Sequence, residues 1–144
     1  MTVSHNYKYA VVVLFFLTAV CSAKVDCRKY KFDVVEKDLN ILAGDEVVSK
    51  IKLPREGEVK NFSLDSVKKT RLGFQIKTDW GGSLYHYEVQ FDFRCRANSF
   101  YLYRVKHVSL ITTNPDSGPF WDKTKTKIRK PNLPIEKFVM RDYL

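Results

Sequence analysis

The sequence predicts an all-β or mostly β protein: a small antiparallel sandwich or barrel of about seven strands with one disulfide. Apolar and polar residues alternate along most of the chain after residue 23, and turn-forming residues separate these runs at regular intervals. Two cysteines also remain once an N-terminal leader is set aside. Alternation with a period of two is typical of half-buried strands, and many short strands with regular turns favour a sandwich or a small barrel.

The first 23 residues have the order of a secretory signal peptide. A polar head with Lys8 precedes the apolar run of residues 9–17, and small residues follow until charge begins at Lys24. This run is shorter than the roughly 20 residues of a membrane-spanning helix. We expect cleavage after residue 23 and an exported single domain, residues 24–144, periplasmic or extracellular and without a membrane span. A membrane anchor and a lipoprotein modified at Cys21 are the alternatives.

Export simplifies the cysteine count. Cys21 leaves with the signal peptide, so the mature chain keeps only Cys27 and Cys95. Exported compartments are oxidising, and an even cysteine count there predicts a disulfide. The bridge would close a loop of about 70 residues, worth about 4 kcal/mol in the chain-entropy model. Two separate buried thiols are the alternative.

The strand period is clearest over residues 83–95. Odd positions from Tyr85 to Cys95 form an apolar face, and even positions from His86 to Arg94 are polar. The preceding run, residues 71–78, would direct three side chains to the core: Leu72, Phe74 and Ile76. Glycines 81 and 82 allow a tight reversal between the two runs, so the sequence predicts a hairpin.

The remaining strands are predicted from β-branched and aromatic residues between turn signals. They are placed at residues 30–35, 46–53, 59–64, 100–112, 123–129 and 137–140. A helical period is weak and confined to residues 34–42. Residues 113–119 have the composition of a loop.

The C-terminal segment is basic. The whole chain carries 25 basic and 16 acidic residues, a net charge of +9, of which the signal peptide removes only Lys8. Basic residues stand at alternate positions, so an extended segment would align them on one face: Lys123, Lys125, Lys127 and Arg129. Such a row would attract an acidic surface. The simpler interpretation is that lysines on an edge strand prevent edge-to-edge aggregation.

Three further features are candidate sites. Trp80 at the predicted hairpin tip is either an exposed binding residue or a residue folded back onto the core. Asn61 begins an Asn-Phe-Ser glycosylation sequon, which has meaning only in a eukaryotic source. His86 and Glu88 share the polar face of the long strand and could form an acid–base couple. The simpler interpretation of that face is a solvated surface with charges paired across strands.

Motifs of the common enzyme classes are missing from the sequence. It contains no HExxH or CxxC metal spacing, no GxSxG nucleophile elbow and no phosphate-binding glycine loop. We therefore predict no catalytic residues, no metal and no cofactor. Nucleic acid is not an expected partner, because the chain is exported and has no recognised reader motif.

These observations favour an exported, non-enzymatic binding protein that recognises another protein with an acidic surface, of the inhibitor or immunity type. The first alternative is a binder of polyanions, either polysaccharide or lipid headgroups, that uses the basic surface. Polyanion binding should weaken steeply with salt. The second alternative is a small hydrolase that uses His86 and Glu88, for which His86→Ala should abolish activity without unfolding the domain.

Overall fold

The computed structural model describes residue 26, residues 29–112 and residues 121–144, with the backbone alone at residues 112 and 121–124. In these ranges the protein is mostly β, as predicted, and its strands form two antiparallel sheets. The strands are β1 (Lys31–Val35), β2 (Asp38–Ala43), β3 (Glu46–Lys52), β4 (Ser63–Thr70), β5 (Gly73–Gly81), β6 (Tyr85–Arg96), β7 (Ser99–Thr112), β8 (Trp121–Arg129) and β9 (Leu133–Pro134). Two 3₁₀ helices follow, Ile135–Lys137 and Met140–Tyr143.

The small sheet is the meander β1-β2-β3. Its first reversal is made at Glu36, whose φ of 54° is left-handed, and its second at Gly44, with a φ of 65°. The weak helical period over residues 34–42 does not correspond to a helix, since these residues form the end of β1, the first turn and most of β2. Leu39 and Ile41 are both fully buried on β2, so their spacing of two residues is that of a strand facing a core.

The large sheet has the order β4-β5-β6-β7-β8, and β9 pairs with β7 beyond the end of β8. The predicted hairpin of residues 71–78 and 83–95 is confirmed as β5 and β6, with Phe74 opposite Phe93 and Ile76 opposite Phe91. In the described part of the chain, β4 and β8 do not pair with each other, so the sheet stays open.

One hydrophobic core lies between the sheets, and we call the face of the large sheet that lines it the inner face. Phe74 is at its centre: its ring stacks on Phe93 at a centroid distance of 4.5 Å and meets Phe100 at 5.0 Å. Phe32 of the small sheet contacts the same ring at 5.1 Å. Tyr30 packs nearby and donates its hydroxyl hydrogen bond to the carbonyl of Gly73. These aromatic contacts join the two sheets, an arrangement compatible with the predicted sandwich.

The strand bounds differ from the predictions in two places. The strand predicted at residues 59–64 begins only at Ser63. It continues to Thr70 as β4, an edge strand whose residues are exposed or half-buried. The strand predicted at residues 137–140 is the junction between the two 3₁₀ helices. Phe138 and Met140 are buried there, so the alternation correctly indicated which side chains face the core, although the backbone does not pair as a strand.

Leu72 was also assigned wrongly to the core. It lies in the turn before β5 and is 50% exposed, whereas Phe74 and Ile76 are fully buried. The strand begins at Gly73, where an added Cβ would lie 2.2 Å from the carbonyl oxygen of Phe93. The chain thus approaches β6 too closely at this point for a side chain, and the strand starts two residues later than the sequence suggests.

The outer face of the large sheet carries a polar network on Asp92. Its carboxylate accepts hydrogen bonds from Gln75 at 2.8 Å and Gln90 at 3.0 Å. Arg104 forms an ion pair with it at 2.5 Å. The network links β5, β6 and β7, which is the cross-strand pairing that the simpler interpretation of this face anticipated.

Candidate functional site

The inner face of the large sheet is not covered along its whole length. On β6, Phe91 and Phe93 are buried completely, Tyr87 is half-buried and Tyr85 is 56% exposed. The cover supplied by the small sheet and the C-terminal segment therefore ends along this strand. We call the uncovered region the open end and define it by six residues: Tyr85, Tyr87, His107, Lys125, Lys127 and Arg129.

The register of β8 brings its basic residues to the open end. Lys125, Lys127 and Arg129 are the partners of Ser109, His107 and Val105 on β7. Partners in an antiparallel pair project to the same face, and Val105 is a core residue of the inner face. All three basic residues are exposed.

The fourth residue of the predicted row is set apart. A register shift lies between Ser109 and Leu110, and beyond it Lys123 pairs with Leu110. Neighbouring residues on β7 alternate between the two faces, so the continuous row that the structure describes has three members. The side chain of Lys123 lies outside the described part.

A cleft of about 210 Å³ opens beside this row. Its lining comes from β7, β8 and the end of the chain: Val105, His107, Lys127, Arg129, Asp142, Tyr143 and Leu144. Val105, Tyr143 and Leu144 provide apolar surface next to the cations. Partial burial strengthens an ionic contact relative to one in open water, so the cleft can hold an anionic group more firmly than the exposed strand can.

The pKa of His107 reflects the electrostatics of this cleft. Burial lowers the pKa of its imidazole below 6.5, and the charges of Arg129 and Lys127 lower it further. The neutral imidazole is therefore preferred in the folded protein. Its ring also lies 5.6 Å from that of Tyr87, which connects the cleft to the aromatic part of the open end.

This lowered pKa predicts a pH dependence of stability. Between the folded pKa and about 6.5 the unfolded chain binds more protons at this site, so the contribution of neutral His107 is present above about pH 6.5 and is lost as the pH falls. Urea unfolding at about pH 8 and about pH 5 should show a smaller loss of stability for His107→Gln than for the parent protein. An equal loss in both proteins would contradict the prediction.

Trp80 folds back rather than standing at a hairpin tip. Its ring stacks on Tyr87 at 4.1 Å with an interplanar angle of 21°, and the residue packs against the core. The turn after β5 lies further along, so Trp80 is inside a strand. Its contribution to the open end is to fix the ring of Tyr87.

The sequon residue has a structural role. Asn61 adopts a left-handed φ of 50°, a conformation that asparagine tolerates better than most residues. Its amide Nδ2 donates a hydrogen bond of 2.7 Å to the carbonyl of Gly81. This contact ties the segment before β4 to the end of β5. Glycosylation at Asn61 stays a prediction.

The structure describes one of the two cysteines of the predicted disulfide. Cys95 lies on β6 opposite Phe100 and packs against the core. Cys27 lies outside the described residues, so the pairing of the two stays a prediction.

His86 and Glu88 occupy the outer face of β6. Glu88 lines a groove of about 330 Å³ with Asp65, Lys77, Asp79 and Lys106, and His86 is not part of that lining. Glu88 is opposite Asp79 and Val108, whereas His86 is opposite Gly81 and Leu110. The structure therefore gives the two side chains different surroundings although they are two residues apart.

Sequence reasoning missed His107 and Tyr143 as parts of the candidate site. His107 stands at an alternate position in the predicted strand of residues 100–112, which would have assigned it a face. No sequence signal shows that this face is uncovered at His107, because the cover comes from residues distant in the chain. Tyr143 reaches the cleft through the second 3₁₀ helix, which the sequence did not predict.

Comparisons with protein-family models, with curated proteins and with solved structures gave no significant match. The helices in the described ranges are two short 3₁₀ turns, and neither could span a bilayer. The same ranges contain no group of three or more histidine, cysteine or acidic side chains arranged to hold a metal ion. The candidate site is therefore defined by its geometry and charge alone.

Proposed function

We propose that the mature chain is an exported, non-enzymatic binding protein that recognises a protein with an acidic surface through the open end. The observation that carries this proposal is the position of Lys125, Lys127 and Arg129, which are exposed in one row beside a partly buried cleft. None of the three is needed to fill the core, and none has an ion-pair partner among the salt bridges of the described residues. Their charge is therefore available to a partner.

Electrostatics favours this surface over the outer-face groove that contains Glu88. On the outer face, the positive charge of Arg104 is balanced by Asp92, and the groove with Lys77 and Lys106 also contains Asp65, Asp79 and Glu88. At the cleft, Asp142 is the one acidic side chain of the lining, beside Lys127 and Arg129. Complementary charge of this kind speeds encounter and rejects unsuitable partners.

We also propose that export places the chain in an oxidising compartment, where Cys27 and Cys95 form a disulfide. Tyr30 packs on Phe100 at 5.1 Å, and Phe100 is the register partner of Cys95. Cys27 precedes Tyr30 by three residues, a span of at most about 11 Å. The fold thus brings the N-terminal segment to the part of β6 that carries Cys95, which supports a bridge between Cys27 and Cys95.

A triple charge reversal tests the binding surface. Lys125→Glu, Lys127→Glu and Arg129→Glu together should weaken binding of poly-L-glutamate by at least tenfold, about 1.4 kcal/mol, because they replace attraction by repulsion. Isothermal titration calorimetry at about 50 mM and 200 mM salt measures the effect. The matched control reverses three exposed lysines of the small sheet and its first turn, Lys31, Lys37 and Lys52, with the same change in net charge.

Equal weakening in the two triple variants would contradict the proposal, since net charge rather than the open end would then control binding. Heparin in place of poly-L-glutamate tests the alternative of a polyanion binder. Tighter binding of heparin at both salt concentrations, with the same dependence on the three β8 residues, would favour that alternative.

A further inference from the structure

We infer that β8 binds an extended acidic segment of the partner by main-chain pairing, as an added strand with alternate carboxylates set against Lys125, Lys127 and Arg129. This inference rests on the proposed function and specifies the form in which the partner presents its acidic residues. β8 pairs with β7 on one side, and no described strand pairs with its other side, which we call the open edge. An unpaired edge offers backbone N–H and C=O groups to another chain.

The period of the basic row selects an extended ligand. Lys125, Lys127 and Arg129 are two residues apart, about 7 Å for each step along a strand. A segment with acidic residues at every second position has the same period, so all three cations can be paired without distortion. A helix would present its acidic residues at a different spacing.

The cleft can bind one of the partner's carboxylates. His107, Lys127 and Arg129 converge on it, with Tyr143 as an apolar wall. Arg129 can hold a carboxylate with two parallel hydrogen bonds. Asp142 lies on the 3₁₀ helix of the same lining, so the entering carboxylate is expected on the β8 side of the cleft, away from this like charge.

The same lysine row disfavours the two competing ligands. A second copy of β8 paired at the open edge would set lysine against lysine, which destabilises a strand pair. A sulfated polysaccharide could satisfy the charges, but it has no backbone amides to pair with the strand. Protection against self-association and recognition of an acidic strand are therefore both consistent with these residues.

N-methylated peptides test main-chain pairing directly. The probe is a peptide as long as β8 that alternates glutamate and threonine, and two further versions carry N-methyl groups on all the glutamates or on all the threonines. Amides at alternate positions of a strand point to opposite edges, so one methylated version blocks the paired edge and the other leaves it intact. We expect the parent peptide and one methylated version to bind, and the other to bind at least tenfold more weakly.

Equal binding of all three peptides would overturn the added strand but leave charge-based recognition of acidic proteins standing. Binding of poly-L-glutamate without binding of the parent peptide would have the same meaning. Failure of both ligands would overturn the proposed function as well. A charge swap gives a further check. The variant with glutamate at positions 125, 127 and 129 should bind a peptide of alternating lysine and threonine and no longer bind the glutamate peptide. The control variant with glutamate at positions 31, 37 and 52 should not bind the lysine peptide.

Discussion

Replacing Phe74 with alanine should destabilise the protein by about 3–5 kcal/mol, the usual range for deleting a buried phenylalanine. The ring is fully buried and contacts aromatic residues of both sheets, including Phe32 on β1 and Phe93 on β6. Deleting the ring leaves a cavity between the two sheets, and closing this cavity would require the backbone of one sheet to move. Urea unfolding followed by circular dichroism measures the change in the free energy of unfolding.

Leu72→Ala is the matched control. The sequence alternation places Leu72 on the same face as Phe74, but the structure places it in an exposed turn. Its truncation should change stability by less than about 0.5 kcal/mol, as is usual for surface positions. A large effect at Leu72, or a small one at Phe74, would show that β5 does not have the register that pairs Phe74 with Phe93.

The second large effect is expected from the disulfide that we propose between Cys27 and Cys95. Replacing both cysteines with serine should lower the free energy of unfolding by about 4 kcal/mol, because a closed loop of about 70 residues no longer restricts the unfolded chain. Reductant should destabilise the parent protein by a similar amount and leave the double variant unaffected.

Mass spectrometry of the natural product tests the premise of that prediction. We expect a mature chain that begins at Lys24 and in which neither remaining cysteine is alkylated without reductant. Alkylation of both Cys27 and Cys95 under those conditions would contradict the bridge, and retention of the first 23 residues would contradict signal cleavage.

The long strands were the most predictable part of the fold. β6 and β7 alternate over many residues, and each apolar position of β6 between Val89 and Phe93 is buried. Prediction was poorer where the pattern was short or mixed. β2 is only six residues long, and it buries Asn40 between Leu39 and Ile41, so its two faces do not differ in exposure as those of β6 do. β9 consists of two residues only and has no detectable period.

The candidate site was predictable only in part, for a related reason. Alternation identified the basic row, since the spacing of Lys125, Lys127 and Arg129 is local information. It could not show which end of the inner face lacks a cover, because that depends on where the small sheet and the C-terminal helices pack. His107 therefore became a site residue only when the fold placed β8 beside it.

The position of β8 would explain both properties that we propose for this edge. Lysines on an edge strand disfavour pairing between copies of the chain, and the same lysines would attract a strand of opposite charge. The outer face contains basic residues as well, but several of them lie beside acidic ones. At the open end, an unpaired strand edge lies beside a row of three exposed basic residues and a partly buried cleft.

Chemical-shift mapping tests recognition at the open end most directly. Uniformly ¹⁵N-labelled mature protein is titrated with the peptide of alternating glutamate and threonine, and the backbone amide shifts are followed by residue. We expect the largest shifts along Lys125–Arg129 of β8 and at His107, with the small sheet unchanged. Shifts concentrated on the outer face near Glu88, or on the small sheet, would contradict binding through β8.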